Sequence, residues 1–155
     1  GCHVTDIRNF IIWGNHSATQ YPDITNSKIG GKPALQVIND NQWMSNTFRS
    51  KVQQRGAEII AVRGGSSIAS AANAAITHMN QWVFGTQGSW TSMAVHSDGS
   101  YGVEKGLYFS YPVIVGNGDY AIVQGVPVPP ESAALIEATH NELKKERDAV
   151  KHLLA

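Results

Sequence analysis

The stretch GLYFSYPVIVGNGDYAIVQGV, residues 106–126, decides the fold of this 155-residue chain. Its two halves are rich in β-branched and aromatic residues, which favour β-strands. Between the halves stands Gly116-Asn117-Gly118-Asp119, a combination typical of a tight hairpin turn. The stretch therefore predicts two antiparallel strands, and the segment SMAV at residues 92–95 predicts a further β segment before them.

The same turn also matches a nucleotide-binding pattern. Residues 116–121 satisfy the letters G-x-G-x-x-A of dinucleotide-binding loops. Such a loop binds a pyrophosphate through free N–H groups at the start of a helix that follows it. Here the following residues, YAIV, have a β pattern, so the hairpin is the preferred interpretation.

Two long helices are predicted before these strands. Apolar residues at helical spacing indicate the first over Asn41–Arg63, with Asp40 as its N-cap. The second begins near Ser66 or Ser67 and stops at Gly85. Its apolar stripe comprises Ile68, Ala72, Ile76, Met79 and Val83.

The second helix also has a face of small residues, which would let another helix approach closely. This face could pack within the chain or against a second subunit, and in both cases we expect it not to be solvated. Its members are Ala69, Ser70, Asn73, Ala74 and Thr77.

The two ends of the chain complete the predicted fold. Residues 6–13 lead into a short apolar strand, residues 34–38 form a second extended piece, and residues 131–154 form a terminal amphipathic helix. The inward residues of that helix are Leu135, Ile136, Leu143, Val150 and Leu154. Residues 1–155 are therefore a single α+β domain of long helices packed on an antiparallel sheet, with no Rossmann unit.

The composition narrows the class of partner. Lys plus Arg and Asp plus Glu both number 12, so no net charge attracts nucleic acid or an anionic membrane. No apolar run approaches the length of a membrane span, and one cysteine gives no disulfide framework. We expect a soluble cytoplasmic protein whose partner is a small molecule or another protein.

His16 is the candidate for chemistry. The apolar run of residues 11–13 ends at Gly14, which places Asn15 and His16 at a sheet edge or cleft. An imidazole with an ordinary pKa of about 6.5 can accept or donate a proton near neutrality. A structural role is the alternative for a single histidine. The six histidines show no pair at metal-ligand spacing near a carboxylate, so no metal site is expected.

A second candidate lies where the second helix begins. The sequence Arg63-Gly64-Gly65-Ser66-Ser67 could offer N–H groups and hydroxyls to an anion or a polar substrate. The alternative is a simple helix break followed by capping.

The string IIWGNHSATQYPD, residues 11–23, closely resembles the segment around the proton-transfer histidine of NAD-dependent malate dehydrogenases, in particular the cytosolic type. Further segments resemble that family in the family's order: VQQRGAEII, SSIASAANAAITH, FGTQGSW, SMAVHSDGSYGV and YFSYPVIV. The resemblance runs from about Asp6 to the C-terminus. It implies the fold of a lactate/malate dehydrogenase C-terminal domain.

The resemblance also implies a function. His16 would exchange the proton while malate and oxaloacetate are interconverted with NAD and NADH, and Ser66 or Ser67 would lie near the nicotinamide and the substrate. The family's N-terminal NAD-binding domain, its histidine-pairing Asp and its substrate-binding arginines have no counterpart here. Asp23 is not expected to replace that Asp. We therefore expect this chain alone to be inactive, and the complete protein to be a homodimer.

Two alternatives stay open. The first is a dehydrogenase of another 2-hydroxy acid such as lactate, because in this family the selecting residues lie in the half without a counterpart here. The second is a free-standing dimerisation module without catalysis. Such a module would begin with its own Met, whereas this sequence begins at Gly1, as a trimmed product would.

Overall fold

An antiparallel sheet forms the centre of the molecule in a computed structural model, which describes residues 1–153. Its strands are β6 (Thr91–His96), β7 (Tyr108–Gly116) and β8 (Asp119–Ile122), in the order β6-β7-β8. Asn117 and Gly118 turn the chain between β7 and β8 with φ of 54° and 78°. The predicted hairpin is confirmed, and the G-x-G-x-x-A letters lie in it.

The core lies on one face of β7. Every second residue from Phe109 to Val115 is buried, as the alternation of a strand predicts, and Pro112 is buried as well. Phe109, Tyr111 and Val113 are fully enclosed and pack with Trp13 from the N-terminal region and Ile136 from the last helix. The terminal helix and the first apolar run therefore meet over the central sheet.

The N-terminal region forms two small sheets. Strand β2 (Ile11–Trp13) pairs with β3 (Tyr21–Asp23), and a bridge from Gly14 to Ser110 joins this ribbon to β7. The other sheet contains β1 (Ile7–Arg8), β4 (Lys28–Ile29) and β5 (Lys32–Pro33). The short apolar strand expected at the end of residues 6–13 is β2, and Asn9, with φ of 57°, separates it from β1.

The extended piece expected over residues 34–38 was wrong. Ala34–Ile38 is a short helix, α1. The turn at residues 30–33 suggested an extended piece after it, but Ala34 is buried and Asn39 closes a helix in a left-handed conformation, its N–H donating to the Leu35 carbonyl at 3.0 Å. The burial of Ala34 and this cap outweigh the extended conformation expected from the turn.

The first long helix was predicted correctly in extent. It contains a π-helical segment, Trp43–Phe48, followed by α2 (Arg49–Arg63). The Asp40 carboxylate accepts the Trp43 N–H at 2.8 Å, which confirms its capping role. Gly64 ends α2 with φ of 71°.

The second long helix, α3 (Ala69–Phe84), ends at Gly85 as predicted but begins at Ala69. In the described chain α3 contributes no buried residue, and its small-residue face is exposed. The alternative that this face packs within the chain was therefore wrong. Packing of this face against a second subunit stays a prediction.

The last helix, α4 (Pro130–Val150), continues into a short 3-10 turn, Lys151–Leu153. Leu135, Ile136 and Leu143 pack against the core as expected. Val150 was wrongly assigned to the inward face: it is 43% exposed, because α4 packs on the core only as far as Leu143. The expected inward Leu154 lies outside the described residues.

Candidate active site

Gly14 sets the position of the His16 loop. It follows β2 with φ of 94°, a conformation that favours glycine. A Cβ atom at this position would lie 2.2 Å from the Thr139 side chain on α4, so a larger residue does not fit. The chain therefore touches α4 at Gly14 and then presents His16, whose side chain is exposed.

Thr139 holds the backbone of this loop. It is fully buried, and its Oγ1 accepts the Asn15 N–H at 2.9 Å and shares a hydrogen bond of 3.0 Å with the Thr19 hydroxyl. The two partners lie on opposite sides of His16 in the sequence. One hydroxyl on α4 therefore fixes both flanks of the candidate proton-transfer residue.

Glu142, one turn further along α4, adds a charged anchor. Its Oε2 accepts the hydroxyls of Ser17 and Thr19 and, at 3.2 Å, the Asn15 side-chain amide. The hydroxyl hydrogen bonds from Ser17 and Thr19 lower the pKa of the Glu142 carboxyl below its ordinary value, because they favour the charged form. At neutral pH the loop is thus tied to a carboxylate.

Helix α2 holds the far end of the loop. Gln53 donates its side-chain amide to the Gln20 carbonyl at 2.7 Å, and Gln20 donates its own amide to the Gln53 carbonyl at 3.4 Å. Residues 14–20 are therefore attached to two helices. A group mounted on such a support is better placed for catalysis than one on a loose loop.

Asp23 makes its hydrogen bonds inside the core. It is 1% exposed, and its carboxylate accepts the Trp13 indole N–H at 3.0 Å and the Thr25 N–H and hydroxyl at 2.8 and 2.7 Å. These contacts agree with the expectation that Asp23 is not the partner of His16. The burial of Trp13 explains the need for an acceptor beside its indole.

The structure does not bring Ser66 and Ser67 into contact with His16. Both lie in the connection between α2 and α3, where their described hydrogen bonds are local: the Ser66 carbonyl accepts from Arg63 at 3.1 Å, and the Ser67 hydroxyl accepts from Ser70 at 2.8 Å. Neither caps α3. Their proximity to a substrate stays a prediction.

Sequence reasoning missed the supporting residues Thr139 and Glu142. The charged run Lys144-Lys145-Glu146-Arg147-Asp148 is typical of a solvated helix face, and it draws attention away from the polar residues before it. The available signal was the three-residue spacing of Thr139 and Glu142, which places both on one face of a helix. That spacing alone could not reveal which loop they bind.

The described residues hold no metal cluster and no dinucleotide loop. Within residues 1–153, histidine, cysteine and carboxylate side chains form no cluster of three that could hold a metal ion. No helix in this part of the chain has the length and apolar character needed to cross a membrane. The G-x-G-x-x-A stretch lies in a hairpin, so it offers no helix N-terminus and does not fit a dinucleotide.

Comparison with known proteins identifies the family. Residues 1–154 match the lactate/malate dehydrogenase α/β C-terminal domain. Malate dehydrogenase from Naegleria fowleri is 51% identical, with a TM-score of 0.92 over 99% of this chain and 47% of that one. Lactate dehydrogenase from Trichomonas vaginalis, in complex with NADH and oxamate, is 33% identical, with a TM-score of 0.89 over 97% and 48%.

The extent of these matches defines what the chain represents. It spans about half the length of both dehydrogenases. Malate dehydrogenase from Salinibacter ruber shares the fold at 22% identity, with a TM-score of 0.82 over 97% of this chain and 48% of that one. The chain belongs to the lactate/malate dehydrogenase family, as its α/β C-terminal domain.

Proposed function

We propose that this chain is the C-terminal half of an NAD-dependent malate dehydrogenase and that His16 is its proton acceptor and donor. The carrying observation is an exposed histidine on a loop that two helices fix, in a chain 51% identical to a malate dehydrogenase. The complete protein then interconverts malate and oxaloacetate. The substrate, the N-terminal domain and a second subunit are its partners, and the cytoplasm is its location.

The proton step follows from the chemistry of imidazole. In the oxidation of malate, neutral His16 accepts the proton of the C2 hydroxyl. In the reverse direction, the protonated ring donates to the carbonyl oxygen of oxaloacetate as that oxygen gains charge. Exposure of the ring in this domain suits a site completed by the N-terminal half, with Ser66 and Ser67 near the reacting groups.

The nucleotide is held elsewhere in this proposal. The G-x-G-x-x-A stretch at residues 116–121 lies in a hairpin and does not offer the helix N-terminus that binds a pyrophosphate. In this proposal NAD binds to the N-terminal domain, and this chain contributes the proton-transfer group. The NADH in the complex of the Trichomonas vaginalis lactate dehydrogenase supports the choice of cofactor.

A lactate-type dehydrogenase is the second candidate, because that same lactate dehydrogenase is 33% identical over nearly the whole chain. The two substrates differ at one carbon: oxaloacetate carries a second carboxylate there, whereas pyruvate has only a methyl group. Steady-state kinetics of the complete protein with oxaloacetate and with pyruvate separates them. A higher kcat/KM for oxaloacetate supports the malate enzyme, and a higher value for pyruvate supports the lactate enzyme.

The role of His16 is tested with His16→Asn in the complete protein. Loss of a general acid–base group should lower turnover on the order of 10²–10⁴-fold while NADH binding, followed by fluorescence, is retained. The control is His152→Asn, because His152 is also exposed but lies at the end of the chain. Normal turnover in His16→Asn would remove His16 from the mechanism.

A further inference from the structure

Helix α4 lies behind the His16 loop and holds it at several atoms. We propose that Thr139 and Glu142 are positioning residues for His16, acting through the backbone and the hydroxyls of residues 15–19. This inference rests on the proposed function, because it concerns the placement of the same imidazole. Neither residue touches the substrate in this proposal.

The first step of the argument is the fit between the loop and α4. Gly14 touches Thr139 so closely that no Cβ could be added, and Thr139 is fully enclosed. A movement of α4 at this point must therefore move the loop. Close-packed interiors transmit such displacements because they contain little free space.

The second step is the number of donors that converge on α4. Thr139 Oγ1 accepts from Asn15 and shares a hydrogen bond with the Thr19 hydroxyl, and Glu142 Oε2 accepts from Asn15, Ser17 and Thr19. These donors bracket His16 on both sides. Hydrogen bonds to a charged acceptor are about twice as strong as neutral ones.

The third step concerns the imidazole itself. Within residues 1–153 no described hydrogen bond reaches the exposed His16 ring. The position of the ring therefore follows from the backbone that carries it. A displacement of about 1 Å from productive geometry can lower turnover about 10²-fold. The residues that fix the backbone therefore determine how well His16 meets the reacting oxygen.

Thr139→Val in the complete protein is the sharpest test. Valine keeps the shape beside Gly14 but cannot form a hydrogen bond with Asn15 or Thr19, so kcat for oxaloacetate reduction should fall about 10- to 100-fold, with KM for NADH unchanged. Thr139→Ser keeps the hydroxyl and should restore most of the lost kcat. Unchanged kcat in Thr139→Val, or failure of serine to restore a lowered kcat, would overturn the proposal.

Glu142→Ala gives a second test that does not disturb the buried contact, because Glu142 is only half-buried. It should lower kcat at least about tenfold without changing KM for NADH, since Asn15, Ser17 and Thr19 lose their hydrogen bonds to this carboxylate. Glu137→Ala is the matched control, an exposed carboxylate on the same helix. Equal effects of the two variants on kcat would contradict a positioning role for Glu142.

The two proposals fail in different ways. Normal turnover of His16→Asn overturns the role of His16, whatever the α4 variants do. If His16→Asn loses most of its turnover while Thr139→Val and Glu142→Ala keep full kcat, only the positioning role is overturned. Loss of thermal stability in the α4 variants without loss of kcat also overturns it, because that result describes a purely structural contact.

Discussion

Helices α4 and α3 have similar apolar patterns but different surroundings. On α4, Ser132, Ile136 and Thr139 are buried against the sheet and the His16 loop. On α3, Ile76 and Phe84 remain 68% and 73% exposed. The comparison shows that helical periodicity predicts which residues share a face, whereas burial depends on whether another element lies against that face.

No element of the described chain covers the exposed apolar residues of α3. Its apolar residues lie beside one another at helical spacing, and large exposed apolar patches on proteins mark interaction sites. This agrees with our proposal that the complete protein has an N-terminal domain and a second subunit. On α4 the partner is known, because it is the core of the same chain.

The largest stability effect is expected at the contact between Gly14 and α4. Gly14→Ala places a Cβ atom 2.2 Å from Thr139 in a backbone conformation unfavourable for alanine. Overpacking and left-handed strain together should lower the free energy of unfolding by about 2–5 kcal/mol. Equilibrium urea unfolding measures this change.

Gly56→Ala is the matched glycine substitution at an uncrowded position. Gly56 lies inside α2 with open space around it, so alanine should raise the free energy of unfolding by up to about 1 kcal/mol through helix propensity. A lower free energy of unfolding in Gly14→Ala and a higher one in Gly56→Ala would support the contrast between tightly packed and open regions. A neutral Gly14→Ala would show that α4 does not press against the loop.

A smaller effect is expected from pH at His140 on α4. Burial, and then the charge of Lys144, lower the pKa of His140, and its neutral Nε2 accepts the Glu104 N–H at 3.1 Å. Nearby Glu104 and Glu137 oppose this shift, and Arg147 reinforces it. The unfolded chain, with an ordinary histidine pKa of about 6.5, binds the proton first as pH falls, so stability present above that pH is lost below it.

The measurement for His140 is the melting temperature between about pH 7.5 and pH 5.5, the range in which histidine titrates. His140→Gln should reduce the pH dependence, because glutamine has no proton to gain in this range. His78→Gln is the control, since His78 lies exposed on α3. The interpretation would be wrong if both variants kept the full pH dependence of the unaltered protein.

Local patterns predicted much of the fold. The Gly-Asn-Gly-Asp turn gave the β7–β8 hairpin, and helical spacing gave both long helices and α4. The failures have a common cause. Ala34–Ile38 is helical, with Ala34 buried and Asn39 as its C-terminal cap, and Val150 is exposed because core packing along α4 stops at Leu143. Both depend on neighbours that local patterns do not reveal.

The candidate site shows the same division. The end of the apolar run at Gly14 correctly indicated where His16 stands, since a strand ends there. Its anchors could not be found from the sequence, because Asn15 and Thr139 lie 124 positions apart. Only the folded chain shows that the polar face of α4 supports this loop.

The central claim is that this chain supplies the proton-transfer histidine but not the nucleotide site. Its most direct test is oxaloacetate-dependent oxidation of NADH by residues 1–155 alone, measured beside the complete protein at equal concentration. We predict turnover by the complete protein and none by the 155-residue chain. Turnover by the chain alone that survives repurification would contradict the claim, because the nucleotide would then bind within these residues.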